Sequence, residues 1–108
     1  MITIAGYRGV QFSEDWVFKV IQQLNKDLKL TGFEQQFDCN NSAEEFINDC
    51  ILYFESLLIK NDAQLFNLLY RIDVPQEKIY NTQGVPHINI TKEILNREFQ
   101  KVVLKSQF

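Results

Sequence analysis

Any chemistry in this chain must come from few residues, because there is one imidazole, His87, and there are two thiols, Cys39 and Cys50. Nucleophilic hydrolysis needs a serine, cysteine or threonine beside a base. No spacing brings a particular hydroxyl or thiol to His87, which follows Pro86 in a stretch that reads as loop. Cys39 and Cys50 make no CxxC pair, and a lone histidine cannot complete a structural zinc set. Cys50 falls in an apolar helical stripe, where a thiol behaves as a small buried hydrophobe, so both cysteines are expected to be reduced. Glu44, Glu45, Asp49 and Glu55 share the polar side of one helix, whereas acid–base work calls for a carboxylate of shifted pKa inside a cleft. Gly6-Tyr7-Arg8-Gly9 has two glycines of a phosphate-gripping loop. It lacks the Walker Lys-Ser/Thr pair and the third glycine of a dinucleotide fingerprint, so it reads as flexible chain. These residues point to no enzyme, no metal, no cofactor and no small-molecule substrate.

The elements that would carry any other function are helices. The chain has 108 residues, 45% hydrophobic and 23% charged, with nine Phe and four Tyr but four Gly and two Pro. That size suits one domain with one core, and so little Gly and Pro leaves short connections. Ser13 announces a first helix, followed by Glu14 and Asp15 at the positive end of its dipole. Val17, Val20, Ile21, Leu24 and Leu28 then recur at i, i+3, i+4, i+7 and i+11, which a period of 3.6 places on one face. Gly32 supplies the stop. Residues 33–41 fit neither helical nor strand period and read as an irregular link anchored by Phe33 and Phe37.

Ser42-Ala43-Glu44-Glu45 is a capping box. It predicts a second helix from Ala43 to about Lys60. Asn61-Asp62 then caps a third helix from Ala63 to about Ile72, antiparallel to the second because the link is so short. Val74-Pro75 ends it, and Pro75 opens a short turn through Ile79. The next residues read as a loop around 80–90, before a last helix from about Thr91 to Lys105. In residues 1–12, Ile2 and Ile4 alternate with small residues until Gly6 and Gly9 intervene. This arm either pairs with residues 33–38, or pairs with a second copy, or hangs loose, because a single strand cannot satisfy its own backbone. The expected fold is a compact all-α four-helix domain, 1–108, with that arm.

Leu68-Leu69-Tyr70-Arg71-Ile72-Asp73-Val74-Pro75 and Ile94-Leu95-Asn96-Arg97-Glu98-Phe99-Gln100-Lys101-Val102 resemble a pattern in small, uncharacterised bacterial helical proteins, as does Thr31-Gly32 at the end of an early helix. The likeness spans roughly Val17 to Lys105. It implies an all-helical domain and transfers no activity and no site residue.

Charge and exposed apolar residues carry the functional expectation. Formal net charge is -3, with 11 basic and 14 acidic residues, so no global positive field draws the chain to nucleic acid or anionic lipid. Residues 34–73 nevertheless hold eight acidic and two basic groups, and residues 74–108 five basic and three acidic. Arg97, Lys101 and Lys105 recur at i, i+4 and i+8 as a basic ridge on the last helix, too small to make nucleic acid the leading partner. The opening residues lack the basic and apolar regions of an export signal, and no apolar run approaches the roughly 18 residues of a membrane span. A cytoplasmic protein without membrane contact is therefore expected.

On the second helix, Phe46, Ile47, Cys50, Ile51, Phe54, Leu57 and Leu58 form the inward stripe. Leu52 and Ile59 point the other way, among Glu45, Asn48, Glu55 and Ser56. An element apolar on two sides is central to its own bundle or docks onto another molecule. Phe66 and Tyr70 likewise fall off the main stripe of the third helix. These residues predict a non-enzymatic protein-interaction or adaptor module, binding a partner or a second copy through Leu52, Ile59, Glu45, Phe66 and Tyr70. The alternatives are a small acidic inhibitor of antitoxin or immunity type, and, more weakly, nucleic-acid binding along Arg97, Lys101 and Lys105.

Overall fold

Apolar stripes of helical period need a common surface to bury them, and here they converge around the last helix. A computed structural model of the chain describes residues 2–75, 77–80 and 84–107. Its helices are α1 (Glu14–Leu30), α2 (Ala43–Lys60), α3 (Asp62–Arg71), the single turn α4 (Glu77–Tyr80) and α5 (Pro86–Ser106). Among the described residues there is no strand beyond one isolated bridge between Tyr7 and Val10. The fold is all-α. Helix α5 packs against α1, α2 and α4, and α2 against α3. Leu24, Leu28, Phe46, Phe54, Leu65, Leu69, Ile94, Leu95 and Phe99 meet in one core that excludes water.

Local chemistry explains most helix ends. Ser42 Oγ accepts the Glu45 amide, and the Glu45 carboxylate accepts the Ser42 amide at 2.9 Å, a reciprocal capping box. A second carboxylate, Glu14 at the start of α1, accepts the amide of Ala43 at 3.1 Å and ties the two helix starts together. Helix α1 closes where Gly32 takes φ +87°, with Phe33 N donating to Leu28 O and Gly32 N to Lys29 O, the two bonds of a Schellman motif. Helix α3 ends in the same pattern around Asp73, whose φ is +69°. Ser13 precedes α1 as expected, yet its side chain makes no capping hydrogen bond.

Three expectations need correction. The last helix starts at Pro86, five residues ahead of Thr91, because a proline suits the first helical turn, where its missing N–H leaves nothing unsatisfied. His87 is consequently helical and half-buried, with Nε2 3.1 Å from Glu55 Oε2 of α2. Of the loop expected around 80–90, residues 81–83 lie outside the described residues. The N-terminal arm neither pairs with residues 33–38 nor hangs loose: Ile2 and Ile4 are buried in the core, and Ala5 N donates to Asn96 Oδ1 of α5 at 3.0 Å. Gly6-Tyr7-Arg8-Gly9 lies in an ordered tight turn, with Tyr7 and Val10 exchanging hydrogen bonds across Arg8 (φ +51°) and Gly9 (φ +79°). The irregular link after α1 is held by Asn25, whose side chain donates to Phe37 O at 2.9 Å and accepts from Phe37 N at 2.8 Å. Phe37 packs edge-on against Phe46 and Tyr53 of α2.

Candidate functional site

Two carboxyl groups stand in core positions. Asp27 continues the inward series of α1 one turn beyond Leu24, and Glu98 lies between Leu95 and Phe99 on the inward side of α5. Asp27 is 2% exposed and Glu98 is 0% exposed. Burying a carboxylate is costly unless opposite charge or hydrogen-bond donors compensate. Three helices supply the compensation. Lys101 Nζ of α5 donates to Asp27 Oδ2 at 3.0 Å, Gln23 Nε2 of α1 donates to the same oxygen at 3.2 Å, and Arg71 Nε at the end of α3 lies 3.5 Å from Oδ1. Lys105 Nζ in turn donates to Gln23 Oε1.

Glu98 is satisfied differently. As an ionised group neither of its oxygens would have a hydrogen-bond donor, and its nearest ammonium, Lys101, is 3.6 Å away. Burial, reinforced by the hydrogen bond and negative charge of Asp27 and opposed by Lys101, pushes its carboxyl up to about 9. At neutral pH Glu98 therefore keeps its proton and is the hydrogen-bond donor to the Asp27 carboxylate. Burial alone would raise Asp27 as well. The hydrogen bonds from Glu98, Lys101 and Gln23, with the charge of Lys101, outweigh burial and hold Asp27 below the ordinary aspartate range. The pair thus carries one negative charge and one proton.

Above this pair, α1 and α5 leave a groove of two adjoining clefts, about 390 and 370 Å³. Lys19, Gln22, Gln23, Lys26, Val102 and Lys105 line the first, while Asp27, Arg71, Lys101 and Leu104 extend the second. Five of the chain's 11 basic residues, Lys19, Lys26, Arg71, Lys101 and Lys105, face it, against one ionised acid, Asp27. An acidic protein therefore carries a strongly positive furrow. Lys19 also lies over the Trp16 ring, 5.4 Å from its centroid, while Trp16 packs edge-on to Phe99 as part of the core rim.

The residues singled out from the sequence separate into two places. Leu52 is 66% exposed and Ile59 78% exposed on the outer face of α2, and Tyr70 is 88% exposed near the end of α3. Glu45, exposed at the start of that α2 face, is engaged with Ser42. Phe66 differs from them, being partly buried and packed on the core. The fold breaks up the basic ridge. Lys101 and Lys105 turn into the groove, but Arg97 donates from Nε to Ile72 O at 3.1 Å and reaches Asp73 at 4.0 Å, closing the carbonyl end of α3.

The groove has a signal in the sequence that charge and exposed apolar residues do not show. Gln23 and Asp27 on α1, and Glu98 and Lys101 on α5, occupy the i, i+3, i+4 steps of otherwise apolar series, and polar residues at core spacing mark buried polar contacts. Cys39 and Cys50 are both free thiols, Cys50 buried, and burial raises its pKa well above the usual thiol value. No described helix is long and apolar enough to cross a membrane. No protein-family model, curated protein or solved structure matches this chain.

Proposed function

We propose that this chain is a non-enzymatic protein-interaction module that docks through the outer face of α2. One observation carries the reading: two large aliphatic side chains, Leu52 and Ile59, stand in solvent two turns apart on a helix whose opposite side is fully used by the core. Burying such a side chain in an interface is favourable by about 1.5–3 kcal/mol. Glu44, Glu45 and Asp49 flank the pair, with Glu55 at its edge against His87, so the face favours a basic partner and disfavours an acidic one. Tyr70 offers a further anchor of the type that dominates interfaces. A non-enzymatic role suits the buried pair as well, since the Glu98 proton is sealed from solvent and Asp27 is engaged by neighbours from three helices.

The same carboxylates favour a second reading, an acidic inhibitor that covers a basic active site. It uses the same face and differs in the partner.

Site-specific photo-crosslinking in the native host tests the docking face. A benzophenone side chain at position 52 or 59 should give discrete protein adducts that the same group at exposed Lys92 on α5 does not. If positions 52 and 59 give only the background seen at 92, the reading fails.

A further inference from the structure

We infer that the α1–α5 groove is a receptor for an acidic amphipathic helix, and that its occupant is the outer face of α2 from a second copy of this chain. The inference rests on the reading of α2 as a docking face and names its partner. Charge is the first ground. The groove gathers Lys19, Lys26, Arg71, Lys101 and Lys105 against Asp27, while the α2 face gathers Glu44, Glu45 and Asp49, with Glu55 at its edge against His87. Protonated Glu98 adds no negative charge beneath the groove, which keeps it positive although two carboxyl groups lie there.

Shape and polarity supply the second ground. Val102, Leu104 and the aliphatic stems of the lysines form apolar walls with cationic tips, the complement of Leu52 and Ile59 set among carboxylates. Leu52 and Ile59 are seven residues apart, as are Lys19 and Lys26, so both features repeat at about 10.5 Å along a helix. An anionic polymer would match the charge of the groove but would leave its apolar walls unused.

One molecule cannot make this contact with itself. The outer side of α2 points away from the core, and the groove is bounded by α1 and α5, which pack on the inner side of the bundle. The contact is consequently heterologous, face of one copy to groove of the next, and it continues from copy to copy unless the rotation closes a ring.

Analytical ultracentrifugation over a concentration series tests it with two variants, Lys19→Glu/Lys26→Glu and Leu52→Glu/Ile59→Glu, each checked for helical circular dichroism. Wild type should associate, and added salt should weaken the association. Each variant alone should lose at least about tenfold in association constant. An equimolar mixture of the two should form a heterodimer that grows no further, because it retains one intact groove and one intact face. If either variant misfolds, Lys19→Gln/Lys26→Gln or Leu52→Ser/Ile59→Ser takes its place. A monomeric wild type overturns the inference, as does association that persists in the groove variant or a mixture that stays monomeric. Crosslinks from position 52 to a protein of another mass, with a monomeric wild type, would leave the docking face standing and remove the second copy as its partner.

Discussion

The outer face of α2 and the seam between α1 and α5 break the usual sorting of residues in opposite directions. On α2, Leu52 and Ile59 stand in water; in the seam, Asp27 and Glu98 lie in the core. The physical costs are unequal. An exposed aliphatic side chain leaves the monomer without a gain it would have had from burial, and scattered exposed apolar residues are ordinary. A buried carboxyl must find donors or hold its proton, and this pair does both, recruiting Lys101, Gln23 and Arg71 from three helices. Stability is therefore sensitive at the seam and insensitive at the face, while binding is expected to show the reverse order.

The sharpest way to break that contrast is Asp27→Ala. It removes the acceptor shared by Lys101 and Gln23 and the partner of Arg71, leaving Lys101 only the buried Glu98 carboxyl 3.6 Å away, and it should cost about 3 kcal/mol in urea unfolding. A loss below about 1 kcal/mol would place the seam with ordinary surface pairs.

Glu98→Gln sharpens the contrast through pH. The folded Glu98 carboxyl titrates near 9, far above its unfolded value, so its contribution is complete at low pH and is lost as pH rises through 9. Wild-type stability should accordingly fall between about pH 5 and pH 9, by at most about 1.4 kcal/mol per pH unit. Asp27, held below its usual range, contributes stability that disappears only in more acidic solution, outside this window. The glutamine amide can donate to Asp27 at every pH, so unfolding midpoints of the variant should be nearly flat where those of wild type decline. Parallel declines would show that Glu98 is ionised in the folded protein.

The smallest effect belongs to the face. Leu52→Glu/Ile59→Glu should change unfolding free energy by no more than about 0.5 kcal/mol per site, as exposed substitutions do. A large loss would mean that these side chains support the fold.

How much of this was legible in the sequence depends on distance along the chain. Helix α2 is legible from Ala43 to Lys60 because a capping box and an apolar stripe are written within a few residues. Helix α3 lies one residue earlier at each end than its sequence suggests. Helix α5 starts earlier than its sequence suggests because Pro86, a punctuation mark of loops, also favours a first helical turn. Leu52 and Ile59 were placed on the outer side of α2 by period alone. The ridge of Arg97, Lys101 and Lys105 failed as a unit, since one helix face does not say which neighbour each long side chain will meet.

Order within four residues, then, was set by sequence: turns of helix, caps, stops and the side each residue faces. Period also put Asp27 and Glu98 on inward faces, but it could not say that they would meet. Asp27 and Lys101 are 74 positions apart, and Arg71 comes from a third helix. Packing brought them together. Once α1 and α5 closed on each other, the two acids had to share one proton and draw cations around them, and those cations line the groove.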